Sequence, residues 1–224
     1  LFPDTPCPGH TVHTLHPCFP DAALLAKAGA CIREGGLVIF PTFCLYGIGV
    51  DALNPAAIQR VFRVKGRPET NPLLILVPDM ASALDQVQDV SSEALRLMEI
   101  FWPGRLTLVL RARPHLPESL TAGTGKIGIR VPEHPVAAAL VRAAGRPLTG
   151  TSANLSGQPG AAQVTKIDRA VREGADLILD AGVLQGGTGS TVVDLTCTPP
   201  RILREGRVSA EKILTALSGK RQDH

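Results

Sequence analysis

The stretch "PAAIQRVFRVKGRPETNPLLILV", residues 55–77, decides how the rest of the chain is read. Asn54 stands before it as an N-cap, and Pro55 takes the first helical position, where a missing N–H costs nothing. Ile58, Val61 and Phe62 then recur at helical spacing as one apolar stripe. Gly66 is placed to end the helix in a left-handed cap. After a short turn, Leu73–Val77 is an unbroken apolar run of strand length, as expected for a strand buried on both faces. A helix that feeds a buried strand is the unit of an α/β chain. The turn raises its own question, because Lys65 and Arg67 flank Gly66 while Pro68 and Pro72 stiffen the segment. One reading is that the cations offset the dipole of the helix they end. The other is that they are held for an anion, with Arg67 offering a planar fork, Lys65 a point charge and Asn71 a nearby amide.

Outward from this unit the alternation continues. Asp21 caps a helix over 22–34 that Gly35 and Gly36 stop, and 37–41 and 45–50 read as strands. Further helices are expected at 91–102, 136–145, 167–174 and 210–219, with strands at 106–112, 127–131, 147–152, 175–180, 190–195 and 201–205. The last two strands have no helix between them, so the sheet is expected to be mixed. Residues 1–20 form an N-terminal extension whose "TVHTLH" is a candidate first strand, 21–218 form one domain, and 219–224 form a tail. No internal repeat or long linker is evident.

Composition bounds the function. The chain has 224 residues, 44% hydrophobic and 19% charged, which suits a globular protein with its own core. Aromatics make up only 4%, which argues for an aliphatic core and against a base-stacking platform for single strands. A net charge of +3 suits an anionic ligand or an RNA contact, but on charge alone an ordinary solvated surface is the better reading. Cys7, Cys18, Cys31, Cys44 and Cys197 are scattered without a CxxC, so a disulfide framework is not expected and a reducing cytoplasm is. The N-terminus lacks the features of a signal peptide, and the longest strongly apolar run is too short for a bilayer, so no membrane association is expected. His10, His13 and His16, with Cys7 and Cys18 nearby, match no recognised ligand spacing, so a surface strand or tail is favoured over a metal site.

Three loops could cradle an anion. "TGTSANLSG" (149–157) crowds hydroxyls and an amide after a strand end, as an anion-binding loop or a plain Asx or ST turn would. "GGTGSTVVDL" (186–195) delivers Ser190 and Thr191 from a glycine-rich turn, for which a flexible hairpin turn is the simpler reading, and "RILREGRV" (201–208) projects Arg204 from one face, as an ordinary edge-strand charge also would. No Walker loop, GxGxxG or GxSxG is present. Cys44 follows a strand and His134 is a distant partner candidate. With no cation beside Cys44 to lower its pKa, a pocket wall is the better reading than a nucleophile.

Taken in order, "GGLVIFPTFCLYGIGVDA" (35–52), "FRVKGRPETNPLLILV" (62–77), "FWPGRLTLVL" (101–110), "IGIRVPEHP" (127–135), "TSANLSG" (151–157), "STVVDL" (190–195) and "ILREG" (202–206) resemble the YrdC family of threonylcarbamoyl-AMP synthases, from about residue 21 to 208. The resemblance implies an open twisted mixed β-sheet flanked by helices, with a concave basic ligand groove, in the short single-domain form. It implies an enzyme, a nucleotidyltransferase that condenses ATP, L-threonine and bicarbonate to threonylcarbamoyl-AMP and pyrophosphate. A downstream threonylcarbamoyl transferase would then modify tRNA. Mg2+ would enter with ATP, without a dedicated metal site. Lys65 and Arg67 would be catalytic. Lys65, Arg67, Asn71, Ser152, Asn154 and Arg204 would bind ATP, and Cys44, Arg130, Ser152 and Ser190 would bind the amino acid. The sequence departs from the family pattern at Phe43 (usually acidic), Cys44 (usually Thr), Leu76 (often His) and 160–162, "GAA". The alternatives are a synthase with a loosened or less polar amino-acid preference, a related carbamoyl-AMP-forming domain, and a non-catalytic module for double-stranded RNA.

Overall fold

A computed structural model describes residues 11–16 and 21–218 of the chain. Its elements run β1 (Thr11–Thr14), α1 (Ala22–Arg33), β2 (Val38–Pro41), β3 (Tyr46–Gly49), α2 (Pro55–Lys65), β4 (Leu74–Leu76), α3 (Met80–Leu84), β5 (Val87–Gln88), α4 (Ser92–Phe101) and β6 (Leu106–Ala112). They continue α5 (Glu118–Thr121), β7 (Lys126–Arg130), α6 (Pro135–Ala144), β8 (Leu148–Ser152), α7 (Arg169–Glu173), β9 (Leu177–Asp180), β10 (Thr191–Asp194), β11 (Arg201–Arg204) and α8 (Ala210–Leu217). Every element read from the sequence is present. The short α3, β5 and α5, and a 3-10 turn at Val164–Lys166, were not anticipated.

The local reasons hold in atomic detail around α2. The Asn54 side chain accepts from the amides of Ala56 at 3.0 Å and Ala57 at 3.2 Å. Gly66 sits at φ 55°, and the amides of Gly66 and Arg67 turn back to the carbonyls of Arg63 and Phe62. This closure satisfies the last carbonyls and throws Arg67 out of the helix at a fixed angle. Asn54→Ala should lower stability by about 1 kcal/mol, the usual worth of a cap, as a drop in the thermal midpoint.

The strands form one mixed sheet in the order β1-β9-β2-β3-β8-β4-β7-β6-β10-β11, with β5 beside β6. β4 lies parallel to β7 and antiparallel to β8, and the late pair β10–β11 is antiparallel. Alternation splits the core between the two faces. Ile39, Ile48, Ile75, Leu108, Ile127 and Ile129 pack on one face with Ile58, Val61 and Phe62 of α2 and Leu97 and Met98 of α4. On the other, Val38, Phe40, Leu148, Leu177 and Leu179 pack with α1 and α6. The next residues on this second face, over β4, β7, β6 and β10, line a cavity instead. Among the described residues no helix is long and apolar enough to cross a membrane, and no three His, Cys, Asp or Glu side chains cluster as metal ligands. Of the residues weighed for metal, His10, Cys7 and Cys18 lie outside the described residues. His13 sits on the edge strand β1, its Nε2 3.2 Å from the Lys27 ammonium.

Candidate ligand-binding site

The cavity on the second face holds about 580 Å3, the size of a small-molecule site. Its floor is the sheet itself. Gly150 of β8 and Gly128 of β7 flank Leu74 of β4 in register. A Cβ on Gly150 would come within 2.6 Å of the Leu74 side chain and 2.9 Å of that of Leu76, so glycine there keeps the floor low. Period two puts Lys126, Gly128 and Arg130 on this face of β7, Thr107 and Val109 on β6, and Val192 and Asp194 on β10.

The charged lining is Arg67, Lys126, Arg130 and Arg204, with Asp194 as the carboxylate. Lys126 donates to Asp194 at 3.2 Å, and Asp194 also accepts from the Thr196 amide and hydroxyl. Arg67 donates from Nε to the Asn71 carbonyl at 3.1 Å and from Nη2 to the Pro72 carbonyl at 2.9 Å, which braces the turn into β4. Arg204 clamps the Ser190 carbonyl at 2.7 Å. The Ser190 hydroxyl shares a 2.8 Å hydrogen bond with that of Thr107. Burial holds the Arg67 and Arg204 guanidiniums below the usual arginine range.

Arg130 differs from these. Its Nε is buried with no hydrogen-bond partner among the described residues. Burial foremost, and then the charge of Arg204, pushes its pKa down to about 10. A guanidinium is costly to desolvate unpaired, which makes Arg130 a candidate ligand contact. Cys44 is buried on the same wall and interacts electrostatically with Arg130. The expectation that no cation lies near Cys44 is therefore corrected: β7 brings one beside it from 86 positions away in sequence, beyond the reach of a local reading. Among the described residues, Cys44 and Cys197 are free thiols.

Of the residues nominated from sequence, Cys44, Arg67, Arg130, Ser152, Ser190 and Arg204 come together on this cavity, and so does Leu76. Lys65, Asn71 and Asn154 do not line it. Lys65 is 2% exposed, and its ammonium donates to the carbonyls of Ser152 at 2.5 Å and Asn154 at 2.6 Å. It thus ties the end of α2 to the loop after β8. Burial first, then Arg67, lowers its pKa to about 8. Asn154 donates to the carbonyls of Leu155 and Gln158 and leaves its Oδ1 buried without a partner. Asn71 is exposed on the turn. Lys126 and Asp194 were missed, although their alternation with Arg130 and Val192 carries the signal.

Residues 30–206 match the Sua5–YciO–YrdC family model, whose description reads "Telomere recombination". The chain belongs to this family. Within it, the chain is 38% identical to the threonylcarbamoyl-AMP synthase of Pyrococcus abyssi over 186 residues, 83% of this chain and 55% of that protein. It is 32% identical to the uncharacterized protein YciO of Escherichia coli over 194 residues, 86% of this chain and 93% of the relative. The crystal structure of P. abyssi Sua5 complexed with L-threonine superposes with a TM-score of 0.88 at 34% identity, covering 93% of this chain and 61% of that one. The chain spans about half the length of the curated synthases of P. abyssi and Bacillus subtilis, 55% of each. The Sua5–YciO–YrdC fold and its mixed sheet are thus those expected from the sequence.

Proposed function

We propose that this chain is an L-threonylcarbamoyladenylate synthase, which condenses ATP, L-threonine and bicarbonate for the modification of tRNA by a downstream transferase. The observation that carries the reading is Arg130, whose buried Nε has no partner among the described residues, on one cavity with the Ser190–Thr107 hydroxyl pair, Arg67 and Ser152. Such a cavity offers an amino-acid carboxylate one cationic end and a triphosphate another. The threonine complex of a family member supports it.

In the reaction, the neutral α-amine and bicarbonate form an N–C bond and release water. A carbamate oxygen then attacks the α-phosphorus of ATP, and the bond to pyrophosphate breaks. No side-chain nucleophile is required, because positioning and charge neutralisation carry such transfers. Arg130 and Ser190 hold the carboxylate end. Arg67 and Arg204 meet phosphate charge, with Ser152 and the exposed amide of Asn71 at the nucleotide. Lys65 fixes the Ser152 loop through two backbone carbonyls, and Asn154 braces the same loop. Mg2+ suits phosphate oxygens and water, and when bound it neutralises charge on the triphosphate. Asp194 is the carboxylate that the cavity itself presents, and it is engaged by Lys126. The free thiols suit a reducing compartment such as the cytoplasm. The comparisons favour the synthase over a non-catalytic RNA-binding role.

Cys44 and Leu76 favour a refinement. They present a thiol and an alkyl group to the cavity, and an apolar wall separates threonine from its isostere valine only weakly. Pyrophosphate release should depend on bicarbonate and an amino acid, with valine or serine within roughly 100-fold of threonine in kcat/KM. Parallel assays with threonine, serine, valine and alanine test both points. Release with none of them would overturn the synthase reading, and exclusive use of threonine would overturn the refinement alone.

A further inference from the structure

Arg130 also lines a second, smaller recess of about 40 Å3. It shares Thr42, Cys44, Arg130, Gly189 and Ser190 with the large cavity, so the two adjoin along the Arg130 wall. The space suits a few water molecules or an anion of four heavy atoms, and is far too small for a nucleotide.

Its own walls are built around Phe43. The Arg105 guanidinium lies 4.6 Å from the Phe43 ring centroid, and the His134 ring meets Phe43 edge-on at 5.1 Å. Arg105, Arg130 and Arg207 bring three positive charges. Glu133 opposes them, but its side chain is 46% exposed and pairs with Arg105 at 3.4 Å. His134 Nδ1 accepts from the Val136 amide at 3.3 Å and caps α6. In the neutral ring the proton therefore sits on Nε2, which is a hydrogen-bond donor. Burial keeps the ring neutral by pushing its pKa down to about 4. His134 and Ala137 also bring the N-terminal turn of α6, with its partial positive charge, to the recess.

Resting on the synthase reading, we propose that this recess is the bicarbonate site. An amino acid whose carboxylate lies on Arg130 has its amine one carbon away, and the one-carbon anion must approach that amine. The guanidinium is planar with donors along two edges, so it can serve the carboxylate on one side and bicarbonate on the other. Arg130 lines both cavities, and its Nε is buried without a partner among the described residues.

The test is binding of 13C-bicarbonate without ATP or threonine, followed by NMR line broadening on wild type, Arg105→Met and His134→Asn. Asparagine keeps a cap for α6 while removing the ring N–H. Broadening by wild type, reduced at least fivefold in both variants while ATP still binds and the fold is intact by circular dichroism, is expected. The KM for bicarbonate should rise tenfold or more in both, with that for threonine changed less than twofold. Wild-type broadening that persists in both variants, or no broadening by wild type, would overturn the site. A chain that binds bicarbonate here yet releases no pyrophosphate would instead sink the synthase reading and leave the anion site standing.

Discussion

Arg130→Met is expected to raise the KM for threonine at least 100-fold and, at the same time, to raise the melting temperature. Truncating one partner of a buried, charge-assisted contact costs about 2–5 kcal/mol of binding, which sets the size of the KM effect. The stability gain has a separate cause. In the free protein this guanidinium is desolvated beside Arg204 with its Nε unbonded, and the opposing influence of Cys44 and Glu133 only partly offsets the cost to folding. A side chain of similar length without charge removes that burden, worth about 1–2 kcal/mol, or a few degrees in a chain of this size. Arg130→Lys should not restore threonine use, because a point charge cannot reproduce the planar fork. Calorimetry and initial rates on the same preparations decide the matter. A lower melting temperature in Arg130→Met would mean that the residue is structural.

Lys65→Met should cut pyrophosphate release at least 100-fold while leaving stability near pH 7 almost unchanged. Two opposing terms are lost together. The buried ammonium costs folding up to about 3 kcal/mol, from ~1.4 kcal/mol per unit of its lowered pKa. Against this, the Ser152 and Asn154 carbonyls lose their donor, at about 1–3 kcal/mol each. The pH dependence separates the terms. The folded pKa is about 8 and the ordinary value is 10.5, so between them the unfolded chain binds more protons. Wild-type stability should therefore rise relative to the variant from pH 8 to 10.5, and run parallel to it below pH 8. Denaturant midpoints across this range, with parallel lines throughout, would refute the buried-ammonium account. The rate loss follows from the loop: without its tie, Ser152 is no longer held against the cavity.

The sequence was legible where the physics is local. Asp21, Asn54 with Pro55, and Gly66 announce their helix ends, and the unbroken run 73–77 announces a strand with neighbours on both sides. The short α3, β5 and α5 span five residues or fewer each, too little for a periodic signal to accumulate. The site was legible as a set of loops, six of whose nominated residues converge. What could not be read was direction. Whether Lys65 faces a ligand or the Ser152 carbonyl depends on how β8 lies beside β4, which only the sheet order decides. The same pairing of distant elements hid the cation next to Cys44.

The strand order has a consequence for how the molecule comes off the ribosome. β4 ends at Leu76, yet its two neighbours finish only at Arg130 and Ser152, and the clamp on Ser190 waits for Arg204. Pairings this distant along the chain form slowly. A nascent chain therefore carries half-paired strands through most of its synthesis. Only once Arg204 has emerged from the ribosome does every wall of the cavity exist at once. Binding competence should thus appear late and in a single step, and any chain halted before that residue would lack it.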